Sequence, residues 1–207
     1  MATLSELKTR IIAETNRDDM GSGGELETVL SNTIARAIEF HADEQFWFNR
    51  ASGSVNTVAT TATVTIPTGV RIAQQVSYNG ALLTKVALGD IEHLTTTGVP
   101  SSWAESEGAI RLSPIPDGVY AITVYGVAEL GVPASSNEWT TSGLDLIDAT
   151  ARKILYRDIL RDVDGYALAR AAEEEELTKL RRETRRRGRT GLTTDLPVPT
   201  GYNIVTG

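Results

Sequence analysis

The chain has 207 residues, 41% of them hydrophobic and 23% charged, the makeup of a folded protein with one domain and an insertion or two small domains. It has no cysteine, which excludes disulfides, thiol nucleophiles and cysteine-based metal sites; no apolar run nears the roughly 20 residues that span a bilayer, and Met-Ala-Thr-Leu-Ser-Glu-Leu-Lys lacks the pattern of a signal peptide, so use inside a cell without a membrane partner is the expectation. The formal net charge of −7 is uneven, because residues 179–189 hold seven Lys or Arg against one acid, Glu183, and so carry +6 while the remainder carries −13.

Thr3-Leu-Ser-Glu6 is a capping box, in which Thr3 and Glu6 each satisfy a free amide at a helix start. Leu4, Leu7, Ile11 and Ile12 then recur at helical spacing until Asn16-Arg17-Asp18-Asp19. Gly21-Ser-Gly-Gly24 reads as a flexible joint. A second helix is predicted over 25–49, with the apolar stripe Leu26, Val29, Leu30, Ile34, Ala37, Ile38 and His41. It ends in Phe46-Trp47-Phe48. Three successive rings on a helix spread over about 200°, so at least one is expected to leave the bundle and pack on the β insertion that follows.

After Asn49 the apolar period changes from 3.6 to 2. Residues 54–60 and 61–67 alternate as in a hairpin, and Asn79-Gly80 marks another, since both turn positions need positive φ. Residues 89–94 read as a short helical turn. Glu107-Gly108 leads into a strand over 109–115, closed by Pro116-Asp-Gly118. The clearest strand covers 119–125, with Tyr120, Ile122 and Val124 on one side. Helix returns after Ser142, a plausible cap, with Leu144, Ile147, Ala151, Ile154, Leu155, Ile159 and Leu160 on its buried face. Asp164 is the expected cap of the last helix, whose seam is Tyr166, Leu168, Ala169, Ala172, Leu177 and Leu180. A connection of two or three residues makes these helices antiparallel neighbours.

The fold class is therefore α+β: a helical bundle with an inserted small antiparallel β domain and an extended C-terminal arm. The expected division is 1–50, 51–139, 140–187 and 188–207. The last helix carries Glu173, Glu174, Glu175 and Glu176 and then turns basic at Arg181, Arg182, Arg185, Arg186, Arg187 and Arg189. The arm beyond has no helical period and almost no charge. Its Leu196, Val198, Tyr202, Ile204 and Val205 need another chain to bury them.

Little in the sequence suggests catalysis. His41 lies on an apolar stripe, and His93 has no second ligand at metal spacing. Asp43 with Glu44, or Glu105 with Glu107, are the carboxylate pairs that acid–base work on a sugar would need, but nothing places either in a cleft. The Gly21–Gly24 run lacks the lysine and preceding strand of a phosphate loop. No catalytic residue, cofactor or metal is expected. The arginine run suits a solvated helix end, a phosphate backbone or an acidic protein. No aromatic rings interleave with it for base stacking.

The order of parts resembles the phage head-to-tail adaptors, also called tail accessory or head-completion proteins. The resemblance covers about residues 4–187 and rests on motif order and on segments 110–125 and 139–156. It implies a structural virion protein at the head–tail interface, assembled in the host cytoplasm and without enzyme activity. It implies a homo-oligomeric ring, usually of twelve copies, between the portal protein and tail nozzle or tail tube proteins. Genomic DNA would pass through without sequence-specific binding. The portal contacts expected on this basis are Arg185, Arg186, Arg187, Arg189, Leu196, Val198, Tyr202, Ile204 and Val205. The rival readings are another connector component, such as a stopper or tail-completion ring, and a DNA-binding accessory protein.

Overall fold

The computed structural model describes residues 3–17 and 25–189. Helix α1 (Leu4–Thr15) opens with the capping box: the Glu6 amide donates to Thr3 Oγ1 at 3.1 Å and the Thr3 amide to Glu6 Oε2 at 2.6 Å. It closes on Asn16 in the left-handed region, φ 52°. The Gly21–Gly24 joint lies outside the described residues.

Helix α2 (Glu25–His41) stops eight residues short of the predicted end at Asn49. Asn49 is the cause. Its buried side chain accepts from the Phe46 amide at 2.7 Å and donates to the Glu44 carbonyl at 2.8 Å, so an irregular turn is satisfied without helical hydrogen bonds. The three rings are thereby released from helical spacing, and they stay with the helices. Phe46 is fully buried in the bundle core, Phe48 stacks on it at 5.4 Å, and both meet Trp139 edge-on. Trp47 faces the last helix. Phe46 and Phe48 thus pack with the bundle cluster and not in the core between the sheets.

The β unit holds two four-stranded sheets. The first runs in the order β1 (Arg50–Asn56), β10 (Ala121–Ala128), β3 (Val70–Tyr78), β4 (Ala81–Leu82). The second runs β2 (Thr63–Thr65), β8 (Ala109–Ser113), β7 (Ser102–Ser106), β5 (Thr84–Lys85). The hairpin predicted over 54–67 is absent, because β1 pairs with β10 and β2 with β8. Thr57 decides this. Its hydroxyl donates to the Gly118 carbonyl at 2.9 Å and accepts from the Tyr120 amide at 2.8 Å, tying the end of β1 to the start of β10. Asn79 and Gly80, at φ 48° and 77°, join β3 to β4 as predicted, and Glu107-Gly108 does the same for β7 and β8 at 46° and 77°. The long pairings are antiparallel. Two short ones, β5 with β7 and β6 (Thr97–Gly98) with β9 (Ile115–Pro116), run parallel. Helix α3 (Leu88–Ile91) is the predicted short turn. Trp103, Val76, Ile110, Leu112, Ile122 and Val124 fill the core between the sheets. Tyr120 lies just ahead of β10, edge-on to Tyr78 at 5.2 Å.

Helix α4 (Glu138–Thr141) carries Trp139 and is capped by Asn137. Ser142 ends α4 instead of starting the next helix, with its hydroxyl turned back to Glu138 Oε2 at 3.1 Å, and Gly143 precedes α5 (Leu144–Leu155). A π-helical turn, Tyr156–Leu160, follows, ended by Arg161 at φ 53°. The cap of α6 (Val163–Arg189) is Asp162, not Asp164: its Oδ1 accepts from the amides of Asp164 and Gly165, each at 3.1 Å. Asp162→Ala should cost about 1 kcal/mol in urea unfolding. Asp164→Ala, on an exposed side chain, should change stability by less than about 0.5 kcal/mol; equal effects would reverse the assignment.

The bundle core takes Leu7 and Ile11 from α1, Leu30, Ile34 and Ile38 from α2, Leu146, Ile147 and Leu155 from α5, and Leu180 from α6. Leu168, expected on the seam, is 75% exposed. Ala169 is the inward residue there, and counting by 3.6 from it leads to Glu173, Leu180 and Thr184. No helix among the described residues is long and apolar enough to cross a membrane.

Candidate partner-binding face

The inner side of α6 is held by polar groups. Of the four successive glutamates, Glu173 turns inward and is 6% exposed. Its carboxylate accepts from Lys153 Nζ at 2.6 Å and from Thr150 Oγ1 at 3.1 Å, and lies 3.5 Å from His41 Nε2. His41 Nε2 also sits 2.9 Å from Thr150 Oγ1, and Lys153 Nζ lies 4.7 Å over the Phe40 ring. Burial by itself pushes the Glu173 carboxyl up; hydrogen bonds from His41, Lys153 and Thr150 more than offset that and hold it at about 2. One carboxylate thus fixes α2, α5 and α6 together. His41 is the packed histidine that its place on the apolar stripe suggests; its polar partners, Thr150 and Glu173, come from helices far along the chain.

A second network joins α1 to α5. Arg10 meets Asp145 at 2.7 Å and Glu14 at 3.0 Å, while Arg152 meets Glu14 at 2.7 Å and Asp148 at 2.8 Å. Asp148 is fully buried, and burial raises its carboxyl despite Arg152 and Arg10.

The basic end of α6 is anchored at the corner between α2 and β1. Arg181 makes a bidentate ion pair with Glu44, the Nη2–Oε2 contact being 2.9 Å. The Trp47 amide donates to Thr184 Oγ1 at 3.1 Å, and the Arg187 guanidinium lies 3.6 Å above the Trp47 ring. Glu183 accepts from Arg186 at 2.6 Å and from Arg187 at 2.7 Å, and these bonds lower its carboxyl to about 2. Of the arginines expected to meet a partner, Arg186 and Arg187 are therefore engaged within their own helix. Arg185 has no ion pair or hydrogen bond among the described residues, and neither has Arg182, which the expected set left out. Thr178, Arg181, Arg182, Arg185 and Arg186 line a shallow open groove on the side of α6 away from the bundle. The signal for Arg182 was its spacing: residues 178, 182 and 185 lie opposite Glu173, Leu180 and Thr184 on a helical wheel. Arg189 ends the helix. Leu196, Val198, Tyr202, Ile204 and Val205 lie outside the described residues.

Three of the four carboxylates that a glycosidase reading would pair face different cations. Asp43 joins Glu39 on Arg71 of β3, each at 2.6 Å, Glu44 meets Arg181, and Glu105 lies 3.9 Å from Lys85. Contact with Glu39 and Asp43 raises the Arg71 guanidinium further above its ordinary range and ties the bundle to the β unit. Among the described residues no three His, Asp or Glu side chains come together as a metal site would require.

The end of α6 is thus a basic face mounted on a rigid corner, with Glu44, Asp43 and Glu183 committed to ion pairs. The class of protein comes from comparison with known families: the phage head-to-tail adaptors, structural components of the virion. The model of the SU10 adaptor protein family matches residues 2–195, and the chain belongs to that family. No curated protein matches it.

Proposed function

We propose that the protein forms a homo-oligomeric ring, of twelve copies, beneath the portal of a phage head, joins it to tail nozzle or tail tube proteins, and contributes to the channel through which the genome passes. The observation that carries this reading is the family match, which runs through the bundle and the β unit and into the arm. The charge split agrees with it: acid toward a channel leaves DNA free to slide. The C-terminal arm is the proposed portal contact. Leu196-Pro-Val-Pro-Thr is held extended by its prolines and loses little entropy on docking, and Tyr202-Asn-Ile-Val205 suits addition to an open strand edge. Repetition around a ring turns a modest contact per copy into a tight one.

Native mass spectrometry of the protein mixed with the portal ring from the same genome tests this. Intact chains should bind as a ring of copies, and chains lacking residues 189–207 should not. A portal that stays bare with the intact protein rejects the portal as partner.

A further inference from the structure

The outward groove of α6 is distinct from the arm, and among the described residues Arg182 and Arg185 in it have no partner. We propose that this stripe, with Arg182 and Arg185 as the recognition pair, docks onto a protein surface presenting carboxylates about one helical turn apart. The inference rests on the portal reading above, and the portal is taken as the protein that bears this surface.

Three features carry it. First, the stripe is mounted rigidly, since Arg181 on Glu44 and Arg187 on Trp47 fix the helix on either side of the pair. Side chains three apart on a helix lie about 5–6 Å from each other, a spacing at which two guanidinium groups meet two carboxylates or grip one from both sides. Second, the neighbouring cations are already engaged. Lys179 pairs with Glu176 at 3.0 Å, and Arg186 and Arg187 pair with Glu183, so the charge left unmatched is local. Third, the stripe is short. Residues 178–186 span about 12 Å along the axis, and Glu174 and Glu175 are exposed directly below it. A duplex, with a charge every ~1.7 Å of its axis, would run off the stripe onto those acids. A compact group of carboxylates would not. No aromatic side chain lines the groove to stack a base.

The test measures binding of the full-length protein to the portal ring at two salt concentrations, alongside binding to a 30-base-pair duplex (about 100 Å long). Arg182→Glu/Arg185→Glu should weaken portal binding about 100-fold, and Arg182→Gln/Arg185→Gln should weaken it less while flattening its salt dependence. Arg170→Gln, on the same helix outside the groove and paired with Glu174 at 3.0 Å, should change it by less than about 3-fold. Circular dichroism confirms that each variant is folded. Wild type that binds as tightly as the reversed variant overturns the stripe and leaves the portal reading intact. Wild type that ignores the portal overturns both. A duplex complex abolished by the reversal makes the groove a nucleic-acid face and overturns the proposal.

Discussion

Glu173→Ala is expected to lower the free energy of unfolding by about 3–5 kcal/mol, the cost of leaving a buried ion without its counter-charge. The truncation strands Lys153 Nζ, whose side chain is 13% exposed, and removes the acceptor shared by Thr150 and His41. Glu173→Gln keeps the shape and an acceptor oxygen and should cost less, about 1–3 kcal/mol. The same carboxylate sets an acid limb. Its folded value of about 2 lies below the ordinary 4.5, so the unfolded chain takes up the proton first. The stabilisation is fully present above pH 4.5 and is lost as pH falls through about 2. It is worth about 3 kcal/mol. Urea unfolding at a series of pH values should show this limb in wild type and a flatter one in Glu173→Gln. Identical limbs would remove Glu173 from its place as the tie among the three helices.

Gly126→Ala is expected to be at least as damaging, by about 3 kcal/mol or more. A β-bulge shifts the register of β10 against β3 between Tyr125 and Gly126, and it presses the strand so close that a Cβ on Gly126 would lie 1.8 Å from the Ile72 carbonyl oxygen. Backbone on both sides must move to admit it, and β10 is the central strand joining β1 to β3. Gly131→Ala is the control. A Cβ there meets nothing within 4 Å, so the change should stay within about 0.5 kcal/mol. Equal unfolding midpoints for the two variants would mean that the bulge yields easily.

The β unit shows why local signals were legible and distant ones were not. Asn79-Gly80 announced its hairpin because the turn is made by adjacent residues with positive φ. The first two strands gave an equally regular alternation, yet their partners lie more than forty residues away, at β10 and β8. Alternation states which residues face a core; it does not state whose strand completes the sheet. The α2 terminus failed for a related reason. Apolar residues continue to Phe48, but Asn49 folds back on Phe46 and Glu44, and a side-chain cap of that kind is invisible to periodicity.

On the candidate face, the basic character of the end of α6 was plain from composition, and the use of each arginine was not. Arg185, Arg186 and Arg187 look alike in a row. Glu183 lies three and four residues before two of them and takes those two, leaving Arg185 outward beside Arg182. Trp47 and Glu44, more than 130 residues away in the chain, hold the same helix end.

The sequence by itself determined the α+β class, the first helix start written in Thr3 and Glu6, the Asn79-Gly80 turn, the charge reversal along the last helix and the likeness to phage adaptors. All of these reside in neighbouring residues or in the order of parts. Only the tertiary structure decided that Glu173 is a core residue, that β1 pairs with β10, and that Arg182 and Arg185 have no partner among the described residues. Each depends on which distant side chain arrives alongside, and burial and pairing energies are properties of that neighbourhood and not of the residue type.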